Sequence, residues 1–226
     1  MDQLRGFRHK AANASAGTSS ADIYHAILDE VGSTGAHGAI LDYGAGTGTL
    51  TRMLWASRGF ASIHAIDLMP RPDDLPGEID WRACDLNEST EYPPEYFDVI
   101  VAAEVIEHLE NPRAVTREWW RILKRDGQLI FSTPNNQSLR SLIALMIRGH
   151  FVAFGDTSYP AHITALLRKD MVRIVGEAGF SAPQFRYSNA GGIPGFPRVK
   201  WQAILGFLAR GSLFSDNVIC VCRRVG

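Results

Sequence analysis

Two acidic residues and a histidine at positions 104–108 have the side chains and the spacing for acid–base or metal chemistry. The segment reads Glu104-Val-Ile-Glu107-His108, so in a helix the three side chains would lie at i, i+3 and i+4 on one face. His108 could serve as a general base because its ordinary pKa lies near neutral pH, and we expect the two carboxylates to raise that pKa. The same side chains could instead ligate a divalent cation, and their oxygen-rich set would favour Mg²⁺ or Mn²⁺.

A glycine-rich loop and a later acid form a second group of candidate ligand-binding residues. Residues 42–48 read Asp-Tyr-Gly-Ala-Gly-Thr-Gly, between a short apolar run and a helical pattern that starts at Leu50. A strand, a glycine turn and a helix in this order bring backbone N–H groups against a ligand, and the glycines permit close approach. Asp67 ends the next apolar segment, where an acid typically accepts hydrogen bonds from a ribose.

The spacing of the loop separates two classes of ligand. A dinucleotide fingerprint would need glycine at position 49, which is Thr49, and Asp42 would repel a pyrophosphate but suits a cationic or amine-bearing ligand. With its preceding strand and Asp67, the loop resembles motif I of the class I S-adenosylmethionine (SAM) dependent methyltransferases. The resemblance implies SAM as cofactor, with Asp85 at the adenine amino group and Leu86 beside it. The cofactor-binding residues that it implies are Asp42, Gly44, Ala45, Gly46, Gly48, Asp67, Leu68, Asp85, Leu86 and Glu104.

The Glu-x-x-Glu-His segment resembles two subfamilies of these enzymes. In the ubiquinone-biosynthesis type of O-methyltransferase, the match implies that His108 and His162 position or deprotonate the acceptor; His162 lies in a similar His-Ile-Thr segment. In the small-RNA 2′-O-methyltransferase type, Glu104, Glu107, His108 and His162 would hold a metal. We favour O-methylation of a small, partly apolar molecule without a metal. The alternatives are the metal-assisted RNA enzyme and a catalytically inert SAM-fold subunit.

Strand and helix patterns alternate along the chain, which favours a parallel sheet with helices on both faces, an α/β fold. The resemblance adds a Rossmann-like sheet of seven strands, mostly parallel with an antiparallel last strand. Strands are predicted at 38–42, 62–67, 79–83, 97–102, 128–133, 180–187 and 218–223, and the clearest helices at 112–123 and 168–178.

The chain is predicted to hold one methyltransferase domain over residues 23–226, after a flexible N-terminal segment over residues 1–22. Cap insertions near 139–166 and 188–215 are apolar with scattered arginine and lysine. We favour a helical substrate lid there. A hydrophobic entrance for the substrate, or a surface that contacts a membrane, is the alternative.

Composition limits the partners of the chain. A net charge of −1 over 226 residues gives no global electrostatic reason to expect nucleic acid. The first ten residues lack the apolar run of a signal peptide, and the chain lacks an uninterrupted apolar stretch long enough to span a membrane. Three cysteines without metal spacing fit a reducing compartment. We therefore expect a cytoplasmic protein with a small-molecule acceptor. Peripheral contact with a membrane is compatible with this composition.

Overall fold

Nine strands and seven helices alternate along the chain in the computed structural model, which describes the backbone of residues 2–226 and the side chains of residues 3–226. The strands are β1 (Ala39–Tyr43), β2 (Ser62–Asp67), β3 (Asp80–Ala83), β4 (Phe97–Ala102), β5 (Leu123–Pro134), β6 (Gln184–Tyr187), β7 (Gly192–Ile193), β8 (Phe196–Lys200) and β9 (Asn217–Arg223). The helices are α1 (Asp2–Ala14), α2 (Ala21–Ser33), α3 (Thr49–Ser57), α4 (Pro112–Ile122), α5 (Leu139–Arg148), α6 (Arg168–Ala178) and α7 (Trp201–Leu205).

Seven of these strands form one sheet in the order β3-β2-β1-β4-β5-β9-β6. Strands β1 to β5 run parallel, and β9 runs antiparallel to both β5 and β6. The predicted α/β class and the mostly parallel seven-stranded sheet with an antiparallel last strand are confirmed. The strand order reverses between β1 and β4, and open α/β sheets bind their ligands at the carboxyl ends of the strands at such a point.

Both faces of the sheet are covered by apolar side chains because successive residues of a strand point to opposite faces. Ile40 of β1 packs with Ile27 of α2 and Leu54 of α3, whereas the next residue, Leu41, belongs to the cluster around Trp119 of α4. All five of these side chains are buried. The two layers hold the carboxyl ends of the strands in fixed positions.

Several element boundaries coincide with the prediction. The ends of β2, β4 and α6 match the sequence pattern. Helix α4 begins as its cap residue indicates, since the Asn111 side chain accepts a hydrogen bond from the Ala114 N–H at 3.1 Å and Pro112 occupies the first turn. Strand β5 begins before the predicted residue 128, because Leu123 already pairs with Phe97 of β4.

The N-terminal segment differs from the prediction of a flexible stretch over residues 1–22. Residues Asp2–Ala14 form helix α1, and α2 begins at Ala21. Two carboxylates far along the chain anchor α1, because the Arg8 guanidinium bonds to Asp85 at 2.7 Å and to Glu110 at 2.8 Å. These ion pairs join residues 77 and 102 positions apart, so a local sequence pattern does not reveal them.

The two cap insertions contain less regular helix than the sequence suggested. Residues 139–166 hold α5 followed by two short 3₁₀ turns, and residues 188–215 hold the β7–β8 hairpin and the short helix α7. A helical lid over the substrate therefore stays a prediction. Across residues 2–226, no helix combines the length and the apolar character needed to cross a membrane.

Candidate functional site

A cavity of about 310 Å³ lies at the carboxyl ends of β1, β2 and β4, where the strand order reverses. Helix α1 and the turn that follows it form its outer wall, with Phe7 and Arg8 among the lining side chains. The predicted site residues that line this cavity are Asp42, Gly44, Ala45, Gly46, Asp67, Leu68, Asp85, Leu86, Glu104, His108 and His162. Within the described chain, the lining includes neither Gly48 nor Glu107.

The glycine loop follows β1 and turns sharply into α3. Gly44 and Gly46 have positive φ angles of 81° and 54°, which L side chains rarely adopt. A Cβ at Gly46 would collide with the Gly17 carbonyl, and the N–H of Thr47 donates to that carbonyl at 2.8 Å. Gly48, also at positive φ, caps α3. The loop is therefore held from outside by the turn after α1, a contact that the sequence analysis missed.

Asp67 ends β2 with its carboxylate beside the glycine loop. Its Oδ2 accepts a hydrogen bond from the Gly46 N–H at 2.7 Å, and its Oδ1 accepts one from the Met69 N–H at 2.8 Å. Burial raises the pKa of this carboxyl, and the two backbone donors act in the opposite direction. A carboxylate has about four acceptor positions, so two remain for the hydroxyls of a ligand.

Asp85 lies after β3 at the far end of the cavity and is held by Arg8. Its Oδ2 accepts from Arg8 Nη1 at 2.7 Å, and its Oδ1 accepts from the Asn87 N–H at 3.0 Å. Burial disfavours the carboxylate, but the hydrogen bonds from Asn87 and Arg8 more than offset it and lower the pKa of Asp85. Arg8 could not be predicted from the sequence, since an arginine near a terminus is usually only a solvated charge.

Asp42, in β1, is fully buried in the wall of the cavity. Its Oδ2 accepts a hydrogen bond from the Thr51 hydroxyl at 2.6 Å, and its Oδ1 has no hydrogen-bond partner among residues 2–226. Burial raises the pKa of this carboxyl to about 7, and the neighbouring charge of Asp67 adds to the effect. An uncompensated negative charge at this depth favours a cationic ligand.

The raised pKa of Asp42 predicts a measurable pH dependence of stability. The unfolded carboxyl titrates near pH 4, so between that value and its folded pKa of about 7 the folded protein binds the extra proton. Stability from this group is therefore present at low pH and is lost as the pH rises through 7. Between about pH 8 and pH 5 the free energy of unfolding should gain about 2 kcal/mol from Asp42.

Urea unfolding of ligand-free wild type and Asp42→Asn at both pH values measures this contribution. The difference between the two proteins isolates Asp42 from Glu104, whose folded pKa is also about 7, and from His108, whose ring titrates near pH 6.5 only in the unfolded chain. Asp22→Asn, which removes an exposed carboxyl of α2, is the matched control. An identical pH dependence in all three proteins would contradict the assignment.

Glu104 is not in a helix, contrary to the arrangement predicted for residues 104–108. It follows β4 with a positive φ of 55°, and a 3₁₀ turn spans only Ile106–His108. Its Oε1 accepts from the Ser132 hydroxyl at 2.9 Å and its Oε2 from the Asn217 amide at 2.8 Å. The chain turns sharply at the end of β4. The bonds to β5 and β9 hold the Glu104 side chain there, apart from the 3₁₀ turn that follows. Burial raises the pKa of Glu104 to about 7.

Glu107, His108 and His162 converge, with one ligand atom of each within 4.8 Å of the others. The Nδ1 of His108 lies 2.8 Å from the Ala161 carbonyl, and the Nδ1 of His162 lies 2.7 Å from the Ala153 carbonyl. A carbonyl only accepts, so in the neutral rings Nδ1 carries the proton and Nε2 carries the lone pair. The two rings meet edge to face, with centroids 4.8 Å apart.

The expected increase in the pKa of His108 is wrong. Burial, together with a smaller effect of the nearby His162 ring, lowers that pKa to about 4. Glu107 does not counteract this, because burial and the neighbouring Glu104 raise the pKa of its own carboxyl far above the ordinary value. Both histidines are therefore neutral near pH 7 and present a basic nitrogen.

The metal arrangement predicted for Glu104, Glu107, His108 and His162 is not the one found. In the part of the chain that the structure describes, the converging group contains two imidazoles and one carboxyl, and Glu104 is held outside it by Ser132 and Asn217. Mg²⁺ and Mn²⁺ prefer oxygen-rich ligand sets. The geometry therefore does not support the oxygen-rich Mg²⁺ or Mn²⁺ site that was the alternative.

A family model described as a methyltransferase domain matches residues 12–183, which include every residue of the cavity discussed above except Phe7 and Arg8. The chain belongs to this methyltransferase family. The ubiquinone biosynthesis O-methyltransferase of Pseudomonas putida (strain W619) is 33% identical over 115 residues, 47% of this chain and 49% of that protein. The match thus spans about half the length of this curated relative.

Solved structures show that the fold is that of the SAM-dependent methyltransferases. One from Archaeoglobus fulgidus superposes with a TM-score of 0.61 at 18% identity, covering 89% of this chain and 92% of that one. Phosphoethanolamine N-methyltransferase 2 of Haemonchus contortus, solved with SAM, gives 0.61 at 15% identity, covering 90% and 52%. The predicted resemblance to class I SAM-dependent methyltransferases is confirmed.

A second cavity of about 190 Å³ adjoins the first in this methyltransferase domain and shares Glu104 and His162 with it. Its other walls combine polar side chains, among them Asn136, Arg140 and Asp216, with the apolar residues Pro134, Val152 and Ala153. The amide nitrogen of Asn136 donates to the Leu166 carbonyl at 3.0 Å, while its oxygen is buried without a partner in the described structure. The sequence analysis did not identify Asn136.

Proposed function

We propose that this methyltransferase domain transfers a methyl group from SAM to a hydroxyl oxygen of a small, partly apolar molecule. The observation that carries the proposal is the position of the two neutral histidines. His162 lines both cavities and His108 lines the larger one, with its ring against that of His162. Two groups, one bound in each cavity, would therefore meet beside the unprotonated Nε2 atoms of these histidines.

The larger cavity has the chemistry to hold SAM. We assign the ribose to Asp67, which keeps acceptor positions free, and the adenine amino group to Asp85. The buried carboxyls of Asp42 and Glu104 would face the positively charged methionine end, which the turn of Gly44 and Gly46 lets approach the backbone. A cation there would stabilise the two carboxylates, whose pKa values are raised chiefly by burial.

The smaller cavity is assigned to the acceptor. When bound, SAM would supply a methyl group that moves from the sulfonium sulfur to the acceptor oxygen by in-line displacement, with the neutral thioether as leaving group. The chain itself must align the acceptor oxygen and receive its proton. We assign proton acceptance to Nε2 of His162 or His108, because each ring keeps its Nδ1 proton on a backbone carbonyl. For an acidic phenol, the same nitrogen needs only to orient the hydroxyl.

The ubiquinone-type relative supports a hydroxyl acceptor, because its name states O-methylation. That relative aligns over only about half of each chain, so its name alone does not decide the acceptor class of this chain. The acceptor class is therefore argued from the two cavities and the histidines. The net charge of −1 gives no support to a nucleic-acid acceptor.

Incubation with methyl-labelled SAM and a set of acceptors tests the proposal. Catechols bearing alkyl chains of increasing length should yield an O-methylated product by mass spectrometry, with matched anilines and a short RNA left unmodified. EDTA should not reduce the rate. Methylation of the RNA or of nitrogen would contradict the proposal, and SAM binding without turnover on any acceptor would favour the inert subunit.

A further inference from the structure

A large apolar surface remains exposed on helix α5 and on the insertion that precedes β9. We call it the docking face. Met146 and Ile147 of α5 are 78% and 77% exposed, and Phe207 and Leu208 after α7 are 76% and 68% exposed. The other exposed apolar residues of this face are Leu142, Leu145, Phe196, Val199, Ile204, Leu205 and Leu213. Scattered exposed apolar residues are normal, but a cluster of this size marks an interaction surface.

The two parts of the docking face are joined by polar contacts beneath them. Arg140 at the start of α5 pairs with Asp216 at 3.0 Å, and the Gly192 N–H of the hairpin donates to the same carboxylate at 2.9 Å. The Asn135 amide donates to the Ser212 carbonyl at 2.6 Å. These contacts hold the start of α5 against residues 192–216.

The charge on the docking face has one sign. Residues 139–155 and 188–215 contain no aspartate or glutamate, although the whole chain has 24 acidic residues against 23 lysines and arginines. Four basic residues on or beside this face are exposed and form no ion pair within residues 3–226; they are Arg148, Arg198, Lys200 and Arg210. Protruding apolar side chains surrounded by unpaired cations match the charge of an anionic lipid surface.

We propose that the docking face binds the surface of a bilayer that contains anionic lipids. Phe207 and Met146 would enter the boundary between head groups and acyl chains, and Arg198 and Lys200 would contact lipid phosphates. A second copy of the chain fits less well, because two such faces would bring like charges together. This inference does not depend on the proposed methyl transfer, since it concerns binding alone.

Docking in this orientation would place the acceptor cavity next to the membrane. Ser138, Arg140 and Ser141 line the smaller cavity; Ser138 caps α5, and the other two lie in its first turn. Met146 and Ile147 are on the exposed face near the other end of the same helix. A single helix thus links the docking face to the cavity, as expected for an enzyme whose partly apolar acceptor partitions into lipid.

Co-sedimentation of the full chain with vesicles tests this proposal. Binding to vesicles of phosphatidylcholine with phosphatidylglycerol should exceed binding to phosphatidylcholine alone by roughly tenfold, and should weaken as salt is added. The pairs Phe207→Ser with Leu208→Ser, and Arg198→Glu with Lys200→Glu, should each reduce binding to anionic vesicles by roughly tenfold. All four side chains are exposed, so the fold should survive the changes.

Two matched controls remove exposed side chains elsewhere. Val172→Ser changes an apolar residue of α6 that is 45% exposed, and Arg117→Glu with Arg173→Glu reverses two charges on α4 and α6. Neither should alter vesicle binding. Equal binding of all variants, or no preference for anionic vesicles, would overturn the proposal. So would a dimer, seen by light scattering, that the Phe207 and Leu208 changes dissolve without vesicles present.

Discussion

Replacement of Asp67 by alanine should weaken the binding of S-adenosylhomocysteine (SAH) by roughly 100-fold, the loss expected when two hydrogen bonds to a carboxylate disappear. The carboxylate is assigned to the ribose hydroxyls, and it also holds the Gly46 N–H at 2.7 Å, which fixes the glycine loop. Calorimetric titration of wild type and variant with SAH measures the effect. The change in affinity should appear without a change in the fold, as circular dichroism can check.

Two variants separate the proposed ligand contact from loss of the loop. Asp67→Asn keeps one acceptor oxygen and the shape of the side chain, so its loss of affinity should be smaller than that of Asp67→Ala. Asp74→Ala is the control. It removes an exposed acid from the segment that follows β2, and the only described ion pair of Asp74 is with Arg52 at the surface. That control should bind SAH as tightly as wild type. Unchanged affinity of Asp67→Ala would contradict the ribose assignment.

Loss of both histidines should have the second large effect. We expect it to lower the turnover number and to leave the affinity for the cofactor nearly unchanged. Changing both His108 and His162 to glutamine should lower kcat by roughly 10²- to 10⁴-fold, the range typical of a lost general base. The affinity for SAH should stay within a few-fold of wild type, because both rings are assigned to the acceptor. The single variants should show which Nε2 receives the proton.

The pH profile distinguishes a base from a merely structural role. Burial lowers the pKa of His108 to about 4 and also lowers that of His162. His108 therefore stays neutral well below pH 6.5, and His162 also protonates only below the ordinary value, so kcat should remain constant between about pH 8 and pH 6.5 and fall only at lower pH as the rings protonate. A loss of activity centred near pH 6.5 would show an exposed, ordinary histidine and contradict the geometry.

Local sequence patterns were enough to predict the sheet and the loop of the larger cavity. Apolar runs that end in Asp67 and Ala102 define β2 and β4 because each strand is buried on both faces. Gly44 and Gly46 predict a turn with positive φ angles, a conformation that residues with a Cβ rarely adopt. Helix α6 follows from its apolar stripe and the glycine at its end.

The features that the sequence did not reveal all depend on distant contacts. Arg8 reaches Asp85 across 77 positions, and Gly17 holds Gly46, so a segment of small and polar residues becomes a helix over the cavity. The left-handed turn at Glu104 requires Asn217 from the far end of the chain. The pKa of His108 is set by burial, which is a property of the folded molecule and not of its neighbours in sequence.

A crystal structure of the chain with SAH tests the central claim most directly. The claim predicts the ribose hydroxyls on Asp67, the adenine amino group at Asp85 and the sulfur at the junction of the two cavities. At that junction the sulfur should face Glu104 and His162, and the smaller cavity should remain open for the acceptor. SAH bound outside the larger cavity, or with its sulfur directed away from the histidines, would contradict the assignment of both cavities.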